Sequence, residues 1–311
     1  MIQLEKDVLL KRHSHYQIGG PAKYFFQLTG SDNLEEVYEK IKILALPVFI
    51  LAGGTNILFP DKGWEGLVIK VANNFVKKEN DFWRIGAGTT MADILDYAVS
   101  DGFSGLEWAG GLPGTLGGAI FGNAGAFGGE IKNSVIETVS WDFSQRAPNF
   151  IQRKKDDCQF SYRSSIFKTK PQEIILEVKL KFEKGEAKKI KKSIQEKINY
   201  RKKYQPLEYP NAGSIFKNID LRKIPKNLLA FVKPAIKMDP QAVVPAAFLL
   251  DQAGLKGETI GGAMISPKHP NFFVNLGEAK AADVLGLIEL AKEKIKKQFQ
   301  LALEEEIIII K

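Results

Sequence analysis

Residues 111–130 read GLPGTLGGAIFGNAGAFGGE, eight glycines in twenty positions. No other stretch so narrows what this chain can fold into. A glycine inside regular structure costs about 0.5–1 kcal/mol relative to alanine, and a chain carries that cost where the backbone needs a positive φ or must be approached closely. A flexible linker would pair its glycines with serine and little apolar content. Here they alternate with Leu112, Leu116, Ile120, Phe121 and Phe127, so the segment is built to be buried and to wrap something. A second glycine turn, AGGTNI at 52–57, follows the short apolar run PVFIL. It offers an anion backbone N–H groups together with the Thr55 and Asn56 side chains.

Neither stretch matches a nucleotide fingerprint. There is no G-x-x-x-x-G-K-[ST], and Gly86 to Gly88 is a bare G-x-G without the later glycine or the acidic residue that closes a second strand. A dinucleotide held here would be held in a non-Rossmann manner, and by motif reasoning alone AGGTNI could equally be a structural turn. His13, His15 and His269 are widely placed and Cys158 stands alone, so no metal site is expected. No G-x-S-x-G elbow is present. What remains for chemistry is Ser214 in the turn AGS, Arg163 in SYRSS, and the carboxylates Glu304 to Glu306. Each has an ordinary structural explanation when taken alone.

The chain has 311 residues, enough for two compact units or three small ones, and its 44% hydrophobic content is that of a globular protein. No apolar run approaches the roughly 20 residues of a membrane span. The amino terminus, MIQLEKDVLLKR, has charges where a signal peptide needs apolar residues. With a single cysteine, the chain reads as cytoplasmic. The formal net charge is +8, and much of it falls in residues 183–203, where Ile190, Ile194 and Ile198 mark one face of an amphipathic helix. Its lysines read as a solvated face, and a nucleic-acid-binding module is a distant second reading.

Periodicity predicts a helix over 32–45, opened by Asp32 with Glu35 three residues on, and another over 90–102, capped by Thr90 and stopped at Gly102. Strands are expected at 47–51, 66–72, 82–89, 134–143 and 173–183, then helices over 242–254 and 279–300 with a strand at 272–277 between them. The terminal EEEIIIIK has strand composition and is expected to pair with an earlier sheet.

In combination these blocks resemble one family, the UDP-N-acetylenolpyruvoylglucosamine reductases, also called UDP-N-acetylmuramate dehydrogenases. The resemblance is carried by IGGPA (18–22), LAGGTNIL (51–58), GLVI (66–69), SGLEWAGGLPGTLGGAIFGNAGAFGGEI (104–131), FSYRSSIF (160–167), NAGSIFKN (211–218), DQAGLKG (251–257), GGAMISPKHPNFFVNLG (261–277) and LEEEI (303–307). It implies an α+β protein with a vanillyl-alcohol-oxidase-like, non-Rossmann FAD-binding fold in two subdomains and an α/β substrate-binding domain. On this chain those fall at 1–70, 71–204 and 205–303, with 304–311 returning to the first. It implies the NADPH-dependent reduction of UDP-N-acetylglucosamine enolpyruvate to UDP-N-acetylmuramate in peptidoglycan precursor synthesis. The partners are then a UDP-sugar and NADPH, in a bacterial cytoplasmic protein that is a monomer or weak oligomer, without nucleic acid or membrane insertion. A flavin oxidase of the same scaffold is the closer alternative.

The resemblance assigns Gly53, Gly54, Thr55, Asn56, Gly111, Pro113, Gly114, Thr115, Gly118, Asn123, Ala124 and Gly125 to FAD, and Tyr162, Lys217, Asn218 and Gln252 to the substrate side. Reduction of the vinyl ether leaves an enediolate-like carboxylate, whose charge must be stabilised and whose adjacent carbon must be protonated. The resemblance gives polarisation of the carboxylate to Arg163 and Glu306 and proton donation to Ser214. Gln17 stands where the family often has arginine, Glu305 replaces the proline of L-E-P-E-V, and residues 219–244 form a longer connection than the pattern leads one to expect. The short run from SVIETVSWDF to FSYRSS matches the family's shorter subtype, which lacks an added substrate-clamping insertion.

Overall fold

In a computed structural model describing residues 2–79, 81–145, 148–239 and 241–311, the chain divides into two units, each with its own core. The first comprises Met1–Val8, Ala22–Gly53 and Trp64–Asn199, the second Leu9–Pro21, Gly54–Gly63 and Tyr200–Lys311.

The first unit starts from apolar strands that pair in parallel. Pro21–Leu28 lies beside Trp64–Val71, which lies beside Val48–Leu51, with Glu5–Leu9 on the outer edge. Parallel strands need a crossover, and the helix Leu34–Leu44 supplies it, burying Val37, Tyr38 and Ile41. Its cap is Asn33 rather than Asp32: Asn33 Oδ1 accepts from the N–H groups of Glu35 and Glu36, whereas Asp32 accepts from Thr29. Strands Asn149–Lys154, Val135–Asp142, Glu173–Lys181, Phe82–Gly86 and Val76–Glu79 then form an antiparallel sheet in that order. Trp83, Trp141, Val178 and Leu180 are fully buried on it. The helix Met91–Asp101 is capped by Thr90 and stopped at Gly102, as its sequence predicts. Ile190 and Ile194 are buried on the lysine-rich helix Ala187–Tyr204.

In the second unit Asn211–Ser214, Phe272–Asn275, Ala263–Ile265 and Thr259–Ile260 make an antiparallel sheet. The helix Ala281–Phe299 buries Val284, Leu287, Ile288, Ala291 and Ile295. The helix expected over 242–254 is shorter, Ala246–Gln252, with the strand Ala242–Val244 before it. Pro245 disfavours helical backbone in the residue before it and so splits the segment. The connection 219–244 contains a small sheet of Ile219–Asp220, Ala242–Val244 and Lys237–Met238, joined by single helical turns. Ile308–Ile309 pairs in parallel with Ile57–Leu58. No helix among the described residues is long and apolar enough to cross a membrane.

Candidate active site

In the first unit the two glycine stretches meet. A side chain on Gly53 would put its Cβ 2.7 Å from Gly114 Cα and 3.1 Å from Thr115 N. Only glycine lets these backbones lie so close. The short helix Leu116–Gly122 follows, and its first amides are already committed: Leu116 N donates to Thr89 O and Gly117 N to Ala87 O. The Thr115 hydroxyl makes no cap bond and is buried without a partner among the described residues. Gly111 and Pro113 are exposed, Gly118 is half-buried against Ala52, and Ala124 N donates to Ala119 O.

Asn123 lies in the left-handed region at φ 43° and is fully buried. Its side-chain amide is engaged within the protein. Nδ2 donates to Glu130 Oε1 at 2.8 Å and to Ser161 O at 2.9 Å, while Oδ1 accepts from Lys132 N at 3.4 Å. Ser161 and Ser164 exchange backbone hydrogen bonds of 3.0 and 3.1 Å, so Tyr162 and Arg163 form the tip of a tight turn. Arg163 is held at φ 53°, a backbone conformation costing a non-glycine residue about 1–2 kcal/mol. Such strain persists only where the surroundings impose it. Its guanidinium carbon lies 4.9 Å from the Tyr162 ring centroid.

In the second unit Ser214 ends the strand Asn211–Ser214 opposite Phe272. The chain beyond it runs against the carboxyl-terminal segment. Glu306 N donates to Ile215 O at 2.7 Å, Lys217 N to Glu304 O at 2.8 Å, and Phe216 bridges Glu305. Three of the residues singled out in the sequence, Ser214, Lys217 and Glu306, thus stand on adjoining backbones. Asn56, expected at a cofactor, donates its amide to Glu306 O at 3.0 Å. Thr55 is half-buried, while Gly54 is buried with its Cα against His13 O.

The three glutamates differ in their surroundings. Glu304 is exposed and pairs with Lys217. The Glu305 carboxylate meets Lys292 Nζ at 2.5 Å. Burial works to raise the Glu305 pKa, but the Lys292 ammonium and a backbone N–H outweigh it and hold the group below its ordinary range. Asn218 Oδ1 accepts from Ala246 N, and Gln252 ends its helix exposed. Sequence reasoning missed Glu130, whose only signal is a carboxylate inside a glycine-rich apolar run. It also missed Asn271, which accepts from Phe216 N and donates to Phe216 O and so braces the strand of Ser214. Lys292 left no signal.

A close-packed glycine wall beside a buried hydroxyl without a partner among the described residues suits a phosphate-bearing cofactor. Comparison with known proteins makes this specific. Residues 22–141 match the model of an FAD binding domain, and residues 205–310 that of the UDP-N-acetylenolpyruvoylglucosamine reductase C-terminal domain. The reductase of Chlamydia muridarum is 36% identical over 310 residues, covering 99% of this chain and 94% of that protein. That of Caldanaerobacter subterraneus subsp. tengcongensis is 36% identical over 302 residues, covering 97% and 91%. The crystal structure of the Thermus caldophilus UDP-N-acetylenolpyruvylglucosamine reductase superposes with a TM-score of 0.77 at 29% identity, covering both chains fully. The chain belongs to the UDP-N-acetylenolpyruvoylglucosamine reductase family, FAD-dependent oxidoreductases that use NADPH to form UDP-N-acetylmuramate.

The residues present fit FAD. The contact of Gly53 with Gly114 leaves a side-chain-free wall, and the Thr115 hydroxyl beside it is a buried donor without a partner among the described residues, chemistry that suits a phosphate oxygen.

Proposed function

We propose that this chain reduces the enolpyruvyl ether of UDP-N-acetylglucosamine with Ser214 as proton donor and with Arg163 and Glu306 at the substrate's carboxylate. The observation that carries the reading is the backbone pairing of 215–217 with 304–306, which brings the serine segment and the glutamate segment together in one unit. Gly53, Gly54, Thr55, Gly111, Pro113, Gly114, Thr115, Gly118, Ala124 and Gly125 would hold FAD, which when bound would supply the electron pair taken from NADPH. The chain's own residues then handle charge and proton. Arg163 offers a fixed cation where negative charge builds on the carboxylate, and a preorganised donor costs no rearrangement at that moment. Glu306, tied through its own N–H and C=O, polarises the same carboxylate. The Ser214 hydroxyl gives its proton to the carbon beside the carboxylate and regains one from water. Tyr162, Lys217, Asn218 and Gln252 complete the substrate side. Residues 1–70 and 71–204 serve as the two flavin-binding subdomains and 205–303 as the substrate-binding domain, in a cytoplasmic monomer or weak oligomer that binds no nucleic acid.

The test is NADPH oxidation that requires the enolpyruvyl UDP-sugar. Ser214→Ala should leave the half-reaction with NADPH nearly intact and slow the half-reaction with the enolpyruvyl substrate at least ~100-fold, the lower range of general acid catalysis. Equal slowing of both half-reactions would make Ser214 a structural residue.

A further inference from the structure

Glu130 closes the glycine segment as a carboxylate only 3% exposed. Burying such a group is costly unless it is fully partnered. Both of its oxygens are engaged: Oε1 accepts from Asn123 Nδ2 at 2.8 Å, and Oε2 pairs with Lys132 Nζ at 2.7 Å. The same Asn123 amide sends its other N–H to Ser161 O at 2.9 Å. Ser161 is the residue that closes the turn bearing Arg163. On the far side of that turn the Ser165 hydroxyl donates to Phe121 O at 2.8 Å. The turn is therefore fastened on both flanks to the residues either side of Gly122.

Gly125 shows why the arrangement is close. A Cβ there would stand 2.8 Å from Gly129 O, 2.9 Å from Glu130 Cγ and 3.1 Å from Arg163 Nη1. The Glu130 stem and the Arg163 guanidinium thus border one space that only glycine leaves open. Arg153 adds a third fastening. It is bound to buried Glu173 at 2.6 and 2.9 Å, and its guanidinium lies 5.5 Å from the ring centroid of Phe167, four residues beyond Arg163.

We propose that Glu130 is a positioning residue: through Asn123 it holds the 161–164 turn, and so keeps the Arg163 guanidinium in the space that Gly125 leaves, aimed at the substrate's carboxylate. Lys132 balances the buried charge, so that Oε1 remains an acceptor for Asn123. The inference rests on the assignment of Arg163 to the reaction.

The test compares Glu130→Leu, Asn123→Gly, Arg163→Ala and the double variant Glu130→Leu/Arg163→Ala, all as FAD-loaded protein. Glycine at 123 keeps the left-handed backbone and deletes only the bridging amide, so it serves if Glu130→Leu does not fold. Two quantities are read: the rates of the two half-reactions, and hydrogen–deuterium exchange of the 160–167 peptide. Misplacement of a catalytic group by about 1 Å costs up to ~100-fold. The Glu130 and Asn123 single variants should therefore each slow the enolpyruvyl half-reaction by roughly 10- to 100-fold, keep the NADPH half-reaction within about twofold, and raise exchange over 160–167. The double variant should be no slower than Arg163→Ala alone. Equal loss in both half-reactions, unchanged exchange, or further slowing in the double variant would overturn the inference. A slow Arg163→Ala beside a fast Glu130→Leu overturns it alone, whereas full activity in Arg163→Ala removes Arg163 from the reaction and the inference with it.

Discussion

At residue scale the decisive question is which of three consecutive glutamates meets the substrate. Strand alternation would set Glu304 and Glu306 on one face and Glu305 on the other. The backbone does not alternate here. Only Glu305 makes a bridge, Glu305 and Glu306 are both half-buried, and Leu303 and Ile307 are buried on either side. Glu305 is occupied by Lys292 and Glu304 by Lys217, while Glu306 is tied at both its N–H and its C=O. Glutamine substitutions separate them in steady-state turnover and thermal melts. Glu306→Gln should lose turnover by about 100-fold or more with FAD retained. Glu305→Gln should keep turnover and lose at most ~1 kcal/mol, since its ion pair is partly solvated. Full turnover in Glu306→Gln with collapse in Glu304→Gln would shift the assignment by two residues. The motif flanked by Leu303 and Ile307 was legible in the sequence. The partner of Glu305 was not, because the charge pattern of the helix Ala281–Phe299 does not say which turn faces the carboxyl terminus.

At the scale of elements, periodicity carried what is local. The helices Leu34–Leu44, Met91–Asp101 and Ala281–Phe299 follow from their apolar stripes, and the strand Glu173–Lys181 from its run of branched residues. What failed was set by single residues that compete at a boundary, as with Asn33 against Asp32, or by proline geometry at Pro245. The small sheet within 219–244 is built from two- and three-residue strands too short to leave a period. The glycine cradle was legible as a wall but not as a contact, since no local pattern tells Gly53 that it will face Gly114. That contact yields a prediction. In Gly53→Ala the Cβ would sit 2.7 Å from Gly114 Cα, closer than real contacts allow, and both neighbours are backbone, so the two segments must separate. Flavin content after purification should fall several-fold, with FAD binding at least ~10-fold weaker by titration, the scale of a 1–2 kcal/mol loss. Unaltered FAD affinity in a folded Gly53→Ala would mean that the cradle does not touch the cofactor.

At the scale of the whole molecule, two cores formed from interleaved segments give two places where stability can be lost. The excursions Leu9–Pro21 and Gly54–Gly63 into the second unit show no change in composition, which is why the sequence does not mark them. Acid should act on that second unit first. His269 packs its ring edge-on against Phe272 with centroids 4.8 Å apart, and its Nδ1 is buried without a partner among the described residues. Burial pushes its pKa down to about 4, helped by Lys237 and Lys256. An unfolded histidine titrates near 6.5. Between those values the unfolded state binds the extra proton, so stability is full above about pH 6.5 and falls as pH drops toward about 4. The loss is at most ~3 kcal/mol at one histidine. His269→Phe keeps an aromatic ring against Phe272 and removes the titration. Hydrogen exchange followed from pH 7.5 to about 4.5 should show protection lost over 209–218 and 263–275 before 76–86 and 135–142 in the parent protein, with that difference largely gone in His269→Phe. A loss spread evenly over both units, or one that persists unchanged in His269→Phe, would assign the acid sensitivity to groups other than His269.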